Sequence, residues 1–482
     1  MKTTLDYFRE ICEIPHGSYN IDSISDYLVD FAKARNLFYI QDDLKNVIIK
    51  KPASEGYENE PGIILQGHMD MVAVKTADCK KDLATEGLDL IQEDGYLYAK
   101  NTSLGGDDGI AVAMALNILD DDSIMHPSLE CIFTVNEEVG MDGAVGIDMS
   151  VIDGRKLINI DSEEEGVITV SCAGGVRVCP YLKIKKAPVK GDVYSVKITG
   201  LLGGHSGTSI HLGRANANIL AGRLLYEIRS LSDIKIISIE GGEKDNAIAN
   251  YAYITFSTNA DNAELEECIK KFNSKVLNEY RGKDDGIKVT LEQLEKRLDK
   301  ESDSPNYLFR ECIDNTDSII DALIAVPDGV IKMCDYTDMV ETSLNLGVMR
   351  IEDDKLALDF CVRSSVSADK ESLKNRVADA VKECGFVVEC KGDYPAWEYN
   401  DKSTLTKQIV DCYERLYGEK PVVTGVHAGL ECGILRDKIK DLDCVSIGPN
   451  ILNIHTVKER LDLASCERTE KLVLEVLKNK NN

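Results

Sequence analysis

From Thr3 to about Arg35 the apolar residues recur at helical spacing, which predicts helix across the start of the chain. VIIK (Val47 to Lys50) and GIILQG (Gly62 to Gly67) are short, β-branched and bounded by turn residues, and they predict buried strands. A helix is expected at about Gly109 to Leu119, followed by strands at CIFTV (Cys131 to Val135) and KLINI (Lys156 to Ile160). This alternation is that of a layered α/β fold. The candidate acidic and His residues fall just after these strands, and ligands of open α/β sheets gather beyond the carboxyl ends of strands.

From about Val193 the texture changes. VYSVKITG predicts a strand, Gly213 to Ser230 a long helix, Ile234 to Glu240 and Tyr251 to Thr258 a strand pair, and Ala263 to Tyr280 a helix. A similar order of strand, strand, helix and strand recurs at Ser343 to Met349, Leu356 to Arg363, Asp369 to Cys384 and Phe386 to Cys390. These read as two related α+β halves of a second domain inserted into the first. From about Tyr394 helix and strand alternate again, closing with a helix from Ala464 to about Lys478. The boundaries are 1–188 for the first part of the outer domain, 189–392 for the insert and 393–482 for the second part.

Composition narrows the functional classes. With 482 residues, 43% of them hydrophobic, the chain can bury cores in two or more domains. No stretch approaches the roughly eighteen apolar residues of a membrane span, and the charged residues Asp6, Arg9, Glu10 and Glu13 argue against a signal peptide. The 15 cysteines are odd in number and never form a C-x-x-C pair, so a reducing cytoplasm fits better than a disulfide framework. A formal charge of -27, from 56 basic and 83 acidic residues, excludes nucleic acid and anionic membranes as expected partners.

Five motifs carry candidate chemistry. In QGHMDMV, the H-x-D spacing puts His68 and Asp70 on one side of an extended segment, although such a pair also marks ordinary turns. In NTSLGGDDGIAVAMA, two glycines allow a tight turn and Asp107 and Asp108 start a helix, where a simple N-cap needs only one acid. In FTVNEEVGMDGA, Glu137 and Glu138 follow an apolar strand, and extended geometry would point one carboxylate each way. That suits one Glu as metal ligand and its neighbour as proton acceptor. LINIDSEEEG ends a fourth strand in Asp161, with Glu163 to Glu165 read as a solvated loop, and SIGPNILNIHTVKERLD supplies His455 far along the chain. Two imidazoles with several carboxylates suit Zn, Mn or Co and are too poor in thiolate for a structural Cys site.

In this order the motifs closely resemble the co-catalytic dinuclear zinc peptidases that include aminoacylases, desuccinylases and carnosinases. LGGDDG, NEEVGMDGA, NIDSEEEG, GGHSGTSIHLGRANA, HAGLECG and IGPNILNIH look most like the bacterial aminoacyl-histidine dipeptidases within that family, over nearly the whole chain. The resemblance implies a catalytic domain with a mixed sheet flanked by helices and an inserted α+β, ferredoxin-like lid. It implies hydrolysis of dipeptides, Xaa-His or broader, by a water bridging two divalent metal ions, most simply Zn2+, with Mn2+ or Co2+ as alternatives. Asp107 would bridge the ions, His68 and Asp161 would complete one site, and Glu138 and His455 the other. Glu137 would be the general base and Asp70 would orient His68. On the lid, His205 would stabilise the oxyanion and Arg363 grip the substrate carboxylate, a task suited to its bidentate fork. Asn246, Gly429 and Glu431 match substrate-side positions, and His427 either lines the pocket or fills space.

The chain departs from its relatives at two places. Many have Asn where this chain has Asp108, which would add a negative charge beside the metals. TVKERLD after His455 also differs from the Ser-Pro common there. An N-acyl amino acid deacylase, a tripeptidase and a catalytically silent metal-binding homologue remain alternatives on the same core. A homodimer is compatible with the sequence, which declares no interface for one.

Overall fold

The computed structural model describes residues 2–295 and 311–480. They form two compact units. The first runs to Cys172 and takes in Tyr399–Gly425 and the chain from Leu430 onward; the second is Ala173–Glu398 with Val426–Gly429. The sequence reading placed the divisions at 188/189 and 392/393. They fall earlier and later because Gly174–Lys183 and Val387–Tyr394 are partnered strands of the second unit's sheet.

The first unit is built on an eight-stranded mixed sheet. Its order is Phe38–Gln41, Val47–Lys51, Leu129–Thr134, Ile63–His68, Lys156–Asn159, Asp443–Ser446, Val167–Cys172 and Val422–Val426. The four from Leu129–Thr134 to Asp443–Ser446 run parallel. Ile63–His68 and Leu129–Thr134 are buried at every residue, as expected of parallel strands covered on both faces. Because these strands share a direction, the residues after His68, Thr134 and Asn159 emerge at one edge of the sheet.

Helix Gly106–Asp120, GDDGIAVAMALNILD, is apolar around nearly its whole circumference and buried at all but Asn117 and Asp120. Such a helix is stable only inside a core. It lies so close to strand Ile63–His68 that a Cβ on Gly67 would sit 2.6 Å from the Ala111 Cβ and against the Asp108 carboxylate. The expected helix over 3–35 is two helices, Thr4–Cys12 and Asp22–Ala34. Pro15 disfavours helical backbone at Ile14, and Tyr19 adopts a left-handed φ of 66° between the two. Thr3 and Asp6 form a reciprocal capping box at the start of the first.

A four-stranded sheet, ordered Ile451–Leu452, Arg460–Asp462, Tyr96–Ala99 and Leu90–Glu93, completes the unit. Its first two strands pair Leu452 with Arg460, so residues 453–459 form a closed hairpin loop that carries His455.

The second unit is an α+β layer. Its nine-stranded sheet runs Lys288–Glu295, Asp192–Thr199, Ala252–Thr258, Ile234–Gly241, Val340–Glu352, Lys355–Ser364, Gly174–Lys183 and Val387–Tyr394, with Gly329–Met333 also paired to Val340–Glu352. Helices Ala217–Arg229, Asn262–Glu279, Thr316–Ala325 and Ser367–Glu383 supply apolar residues such as Leu224, Phe272, Ile320 and Val377 to its core. Among the described residues no helix is long and apolar enough to cross a membrane.

The tight approach at Gly67 gives a direct test of this packing. Gly67→Ala should cost about 1–3 kcal/mol through overpacking, read as a lower urea midpoint at unchanged slope.

Candidate metal centre

Each loop beyond the parallel strands contributes a polar side chain, and together they surround Asp107. His68 ends its strand, fully buried, with Nε2 3.1 Å from Asp107 Oδ1 and 3.5 Å from Asp161 Oδ1. His455 approaches from the hairpin loop, with Nε2 3.1 Å from Asp107 Oδ2 and 2.7 Å from Glu138 Oε1. One carboxylate therefore presents a separate oxygen to each of two imidazoles. Single ligand atoms of His68, Asp107 and Asp161, of Asp107, Glu138 and His455, and of His68, Glu137 and Glu138 lie within 4.8 Å of one another in each trio.

Local backbone sets these positions. Strand Leu129–Thr134 stops when Asn136 turns left-handed at φ 54°, and Glu137–Val139 form a short 3-10 turn. The two glutamates thus leave a turn rather than alternating from an extended strand, as the sequence pattern suggested; the Asn136 turn overrides the strand. Asp70 fixes that turn, its Oδ1 accepting the Glu137 N–H at 3.0 Å while Oδ2 accepts the Ser18 hydroxyl at 2.8 Å. Its own carbonyl lies 2.9 Å from His68 Nδ1 and its Oδ1 3.6 Å away. A carbonyl can only accept, so Nδ1 carries a proton and the Nε2 electron pair faces Asp107 and Asp161.

An electron pair cannot face two anionic oxygens unless a cation stands between them. A divalent cation or a second proton can fill that role. Burial works against charge on His68, but hydrogen bonds to Asp107 and Asp161 raise its pKa well above the ordinary imidazole value. Asp107 and Glu138 push His455 up to about 10. Burial opposes ionisation of Asp107, yet hydrogen bonds from the two imidazoles hold its carboxyl below the usual range.

The remaining acids are crowded. Burial, with the charges of Asp107 and Glu138, lifts Asp161 to about 7, despite His68. Glu163, in the loop that follows, is exposed, in line with the solvated loop expected there. Burial, with Asp161, Glu431 and Glu138, raises Glu137 well above the carboxylate range. Such a surplus of buried acid is costly unless neutralised, and hard or borderline divalent cations suit a donor set of imidazole and carboxylate. The residues present therefore fit metal.

Asp108 departs from expectation. Its Oδ2 accepts the His68 N–H at 3.2 Å, while burial, with the charges of Asp161 and Asp107, raises its carboxyl far above the usual range. Burial and its acidic neighbours therefore oppose the extra charge its identity suggested. Glu431 belongs to the first unit and lies fully buried, accepting from Gln66 at 2.5 Å and Thr134 at 2.6 Å.

The other sequence candidates lie in the second unit. His205 Nδ1 accepts the Gly207 and Thr208 N–H groups at 3.2 and 3.1 Å, which leaves the proton of the neutral ring on Nε2. Burial and the Arg363 charge lower its pKa. Asn246 is a near neighbour, its carbonyl accepting the Ser206 N–H at 2.8 Å. Arg363 is buried and donates to the Tyr394 hydroxyl at 2.8 Å, leaving its Nε without a hydrogen-bond partner. His427 bonds the Ser343 hydroxyl at 2.7 Å and is kept neutral, driven down to about 3 by burial and Arg363. Gly429 follows two residues later, only partly exposed.

One residue was missed altogether. Glu459, in the hairpin loop with His455, accepts backbone N–H groups from Leu104 to Asp107. The signal available was an acid four residues after a candidate ligand, inside a segment noted only for its departure from relatives.

The fold that carries this centre is a mixed α/β sheet flanked by helices, with its polar cluster at the carboxyl ends of parallel strands. The chain belongs to peptidase family M20/M25/M40, whose model matches residues 64–479, and it is a peptide-bond hydrolase. It is 34% identical over 477 residues to the cytosol non-specific dipeptidase of Escherichia coli strain K12, covering 98% of this chain and 96% of that one. The crystal structure of aminoacylhistidine dipeptidase from Vibrio alginolyticus superimposes with a TM-score of 0.88 at 31% identity, covering 99% and 97% of the two chains. Aminopeptidase PepT of Bacillus cereus ATCC 10987 shares the fold, with a TM-score of 0.56 at 16% identity over 98% and 97%.

A divalent ion held between these imidazoles and carboxylates would compete with protons for the same donor atoms. Uptake of a divalent ion at neutral pH should release protons from His68 and His455, so affinity should rise with pH until His455 titrates near 10. Calorimetry in buffers of different ionisation enthalpy counts the protons, and release of none would contradict the charge state described.

Proposed function

We propose that this protein hydrolyses dipeptides with the help of two divalent metal ions, and that Asp107 is shared between them. The observation that carries this reading is the placement of the Asp107 carboxylate, with Oδ1 on His68 and Oδ2 on His455. His68 and Asp161 would complete one site, and Glu138 and His455 the other. Similarity over nearly full length to relatives named as dipeptidases supports the substrate class. Zinc is the simplest occupant, with manganese and cobalt as alternatives. A cytoplasmic location agrees with the name of the Escherichia coli relative, and a homodimer is included in the proposal.

When bound, the ions would supply Lewis acidity, which polarises a carbonyl and makes water easier to deprotonate. Glu137 would take the proton from the attacking water and return it to the leaving amine. Its turn is fixed by Asp70, which also lies against His68, so one carboxylate orients both a ligand and the base. For the second unit, His205 is assigned to stabilise the developing oxyanion. Its hydrogen-bonded Nδ1 supports this by leaving a neutral Nε2–H as the donor. Arg363 is assigned to the substrate carboxylate, and the unpartnered Nε supports that role. Asn246, Gly429 and His427 are assigned to the substrate side. Glu431, matched by the resemblance to the substrate side, is fully buried and accepts from Gln66 and Thr134, so it would act on substrate only through such neighbours.

Two experiments test this. Hydrolysis of a panel containing β-alanyl-histidine, several Xaa-His and other dipeptides, a tripeptide and N-acetyl amino acids should show chelator-sensitive cleavage of dipeptides, restored by Zn, Mn or Co. Cleavage only of the tripeptide or acetylated compounds would move the substrate class, and no cleavage under any metal would indicate a silent homologue. Separately, Glu137→Gln should retain its metal content while kcat falls by about two to four orders of magnitude. Near-normal turnover would remove Glu137 as the base.

A further inference from the structure

Glu459 makes four backbone contacts that the proposed chemistry does not use. Its Oε2 accepts the N–H groups of Leu104 at 2.8 Å and Gly105 at 3.1 Å, and its Oε1 those of Gly106 at 2.8 Å and Asp107 at 3.4 Å. The side chain is 3% exposed. Helix N-termini leave donors without intrahelical acceptors, and a local cap residue ordinarily satisfies one of them. Here Gly105, in the cap position with φ 69°, has no side chain to offer. The acceptor is instead supplied from more than 350 residues away.

Its source gives the contact further meaning. Glu459 closes the same hairpin loop, 453–459, that holds His455, and His455 Nε2 lies 3.1 Å from Asp107 Oδ2. The Glu459 carboxylate thus ties the segment bearing one imidazole to the segment bearing the shared carboxylate. The absence of a side chain on Gly106 admits this approach, since a Cβ there would lie 3.3 Å from Glu459 Oε1. We infer that Glu459 is a positioning residue for the metal centre, holding loop 104–107 so that Asp107 faces both His68 and His455. The inference rests on the proposed metal reading. Glutamine should not replace Glu459, because its NH2 group would meet backbone donors where an oxygen now accepts.

The test compares wild type with Glu459→Gln, Glu459→Asp and, as a nearby surface control, Lys458→Ala. Zinc affinity is read by competition with a chromophoric chelator, and amide hydrogen exchange at 104–107 and the thermal midpoint are read on metal-free protein. Glu459→Gln should lose about 10–100-fold in zinc affinity and exchange faster at 104–107, with the rest of the exchange pattern unchanged. Glu459→Asp should fall between, and Lys458→Ala should match wild type. Wild-type zinc affinity in Glu459→Gln overturns the inference, as does an affinity loss accompanied by general loosening of exchange. If Glu459→Gln does not fold, unaltered affinity in Glu459→Asp overturns it. Zinc failing to bind wild type removes the metal reading itself, whereas binding to wild type and variants alike removes only the role of Glu459.

Discussion

The arrangement on which the rest of the first unit depends is a single carboxylate shared by two imidazoles. Asp107 can present one oxygen to His68 and the other to His455 only if three separate pieces of chain are fixed to within a few tenths of an ångström. Parallel strands fix the first piece, because His68 is the last residue of a fully buried strand. The apolar helix Gly106–Asp120 fixes the second by packing against that strand across Gly67. The small sheet that closes loop 453–459 fixes the third. Burial supplies the free energy for all three, and the polar cluster consumes part of it.

Electrostatics explains why such a cluster persists. Asp107, Asp108, Glu137, Glu138 and Asp161 gather around two imidazoles, an arrangement unfavourable for five ionised acids. Proton uptake is one answer, and the raised pKa values of both imidazoles and of Glu137 favour it. A divalent cation would resolve it differently, by substituting for the protons between donor atoms. Perturbed titration of this kind, concentrated at the ends of strands, is found more often at functional clusters than at surface acid patches.

Much of this was legible in the sequence because buried strands announce themselves. GIILQG, CIFTV and KLINI are short β-branched runs, and the structure places strands at Ile63–His68, Leu129–Thr134 and Lys156–Asn159. Residues directly beyond such runs could therefore be nominated as neighbours despite their separation in sequence. Less legible were features set by single backbone conformations. The left-handed Asn136 turned an expected extended pair of glutamates into a 3-10 turn, and the break near Pro15 divided one helical pattern into two helices. Glu459 was invisible for another reason. Its importance lies in four backbone N–H groups, which carry no residue identity for a motif to display.

Asp108 shows how burial can undo a reading made from residue identity. An Asp in place of Asn suggests a further negative charge, and in an exposed loop that would be correct. Here the side chain is buried between strand Ile63–His68 and helix Gly106–Asp120, with one oxygen accepting the His68 N–H and the other without a partner. Ionising it would place a further anion beside Asp107 and Asp161 in a buried setting that solvates charge poorly. Its Oδ2 acceptor is one that an Asn amide oxygen would also supply, and burial opposes the added charge. Asp and Asn can therefore make the same contact to the His68 N–H here, and the displaced titrations around it are those of His68, His455, Asp161 and Glu137.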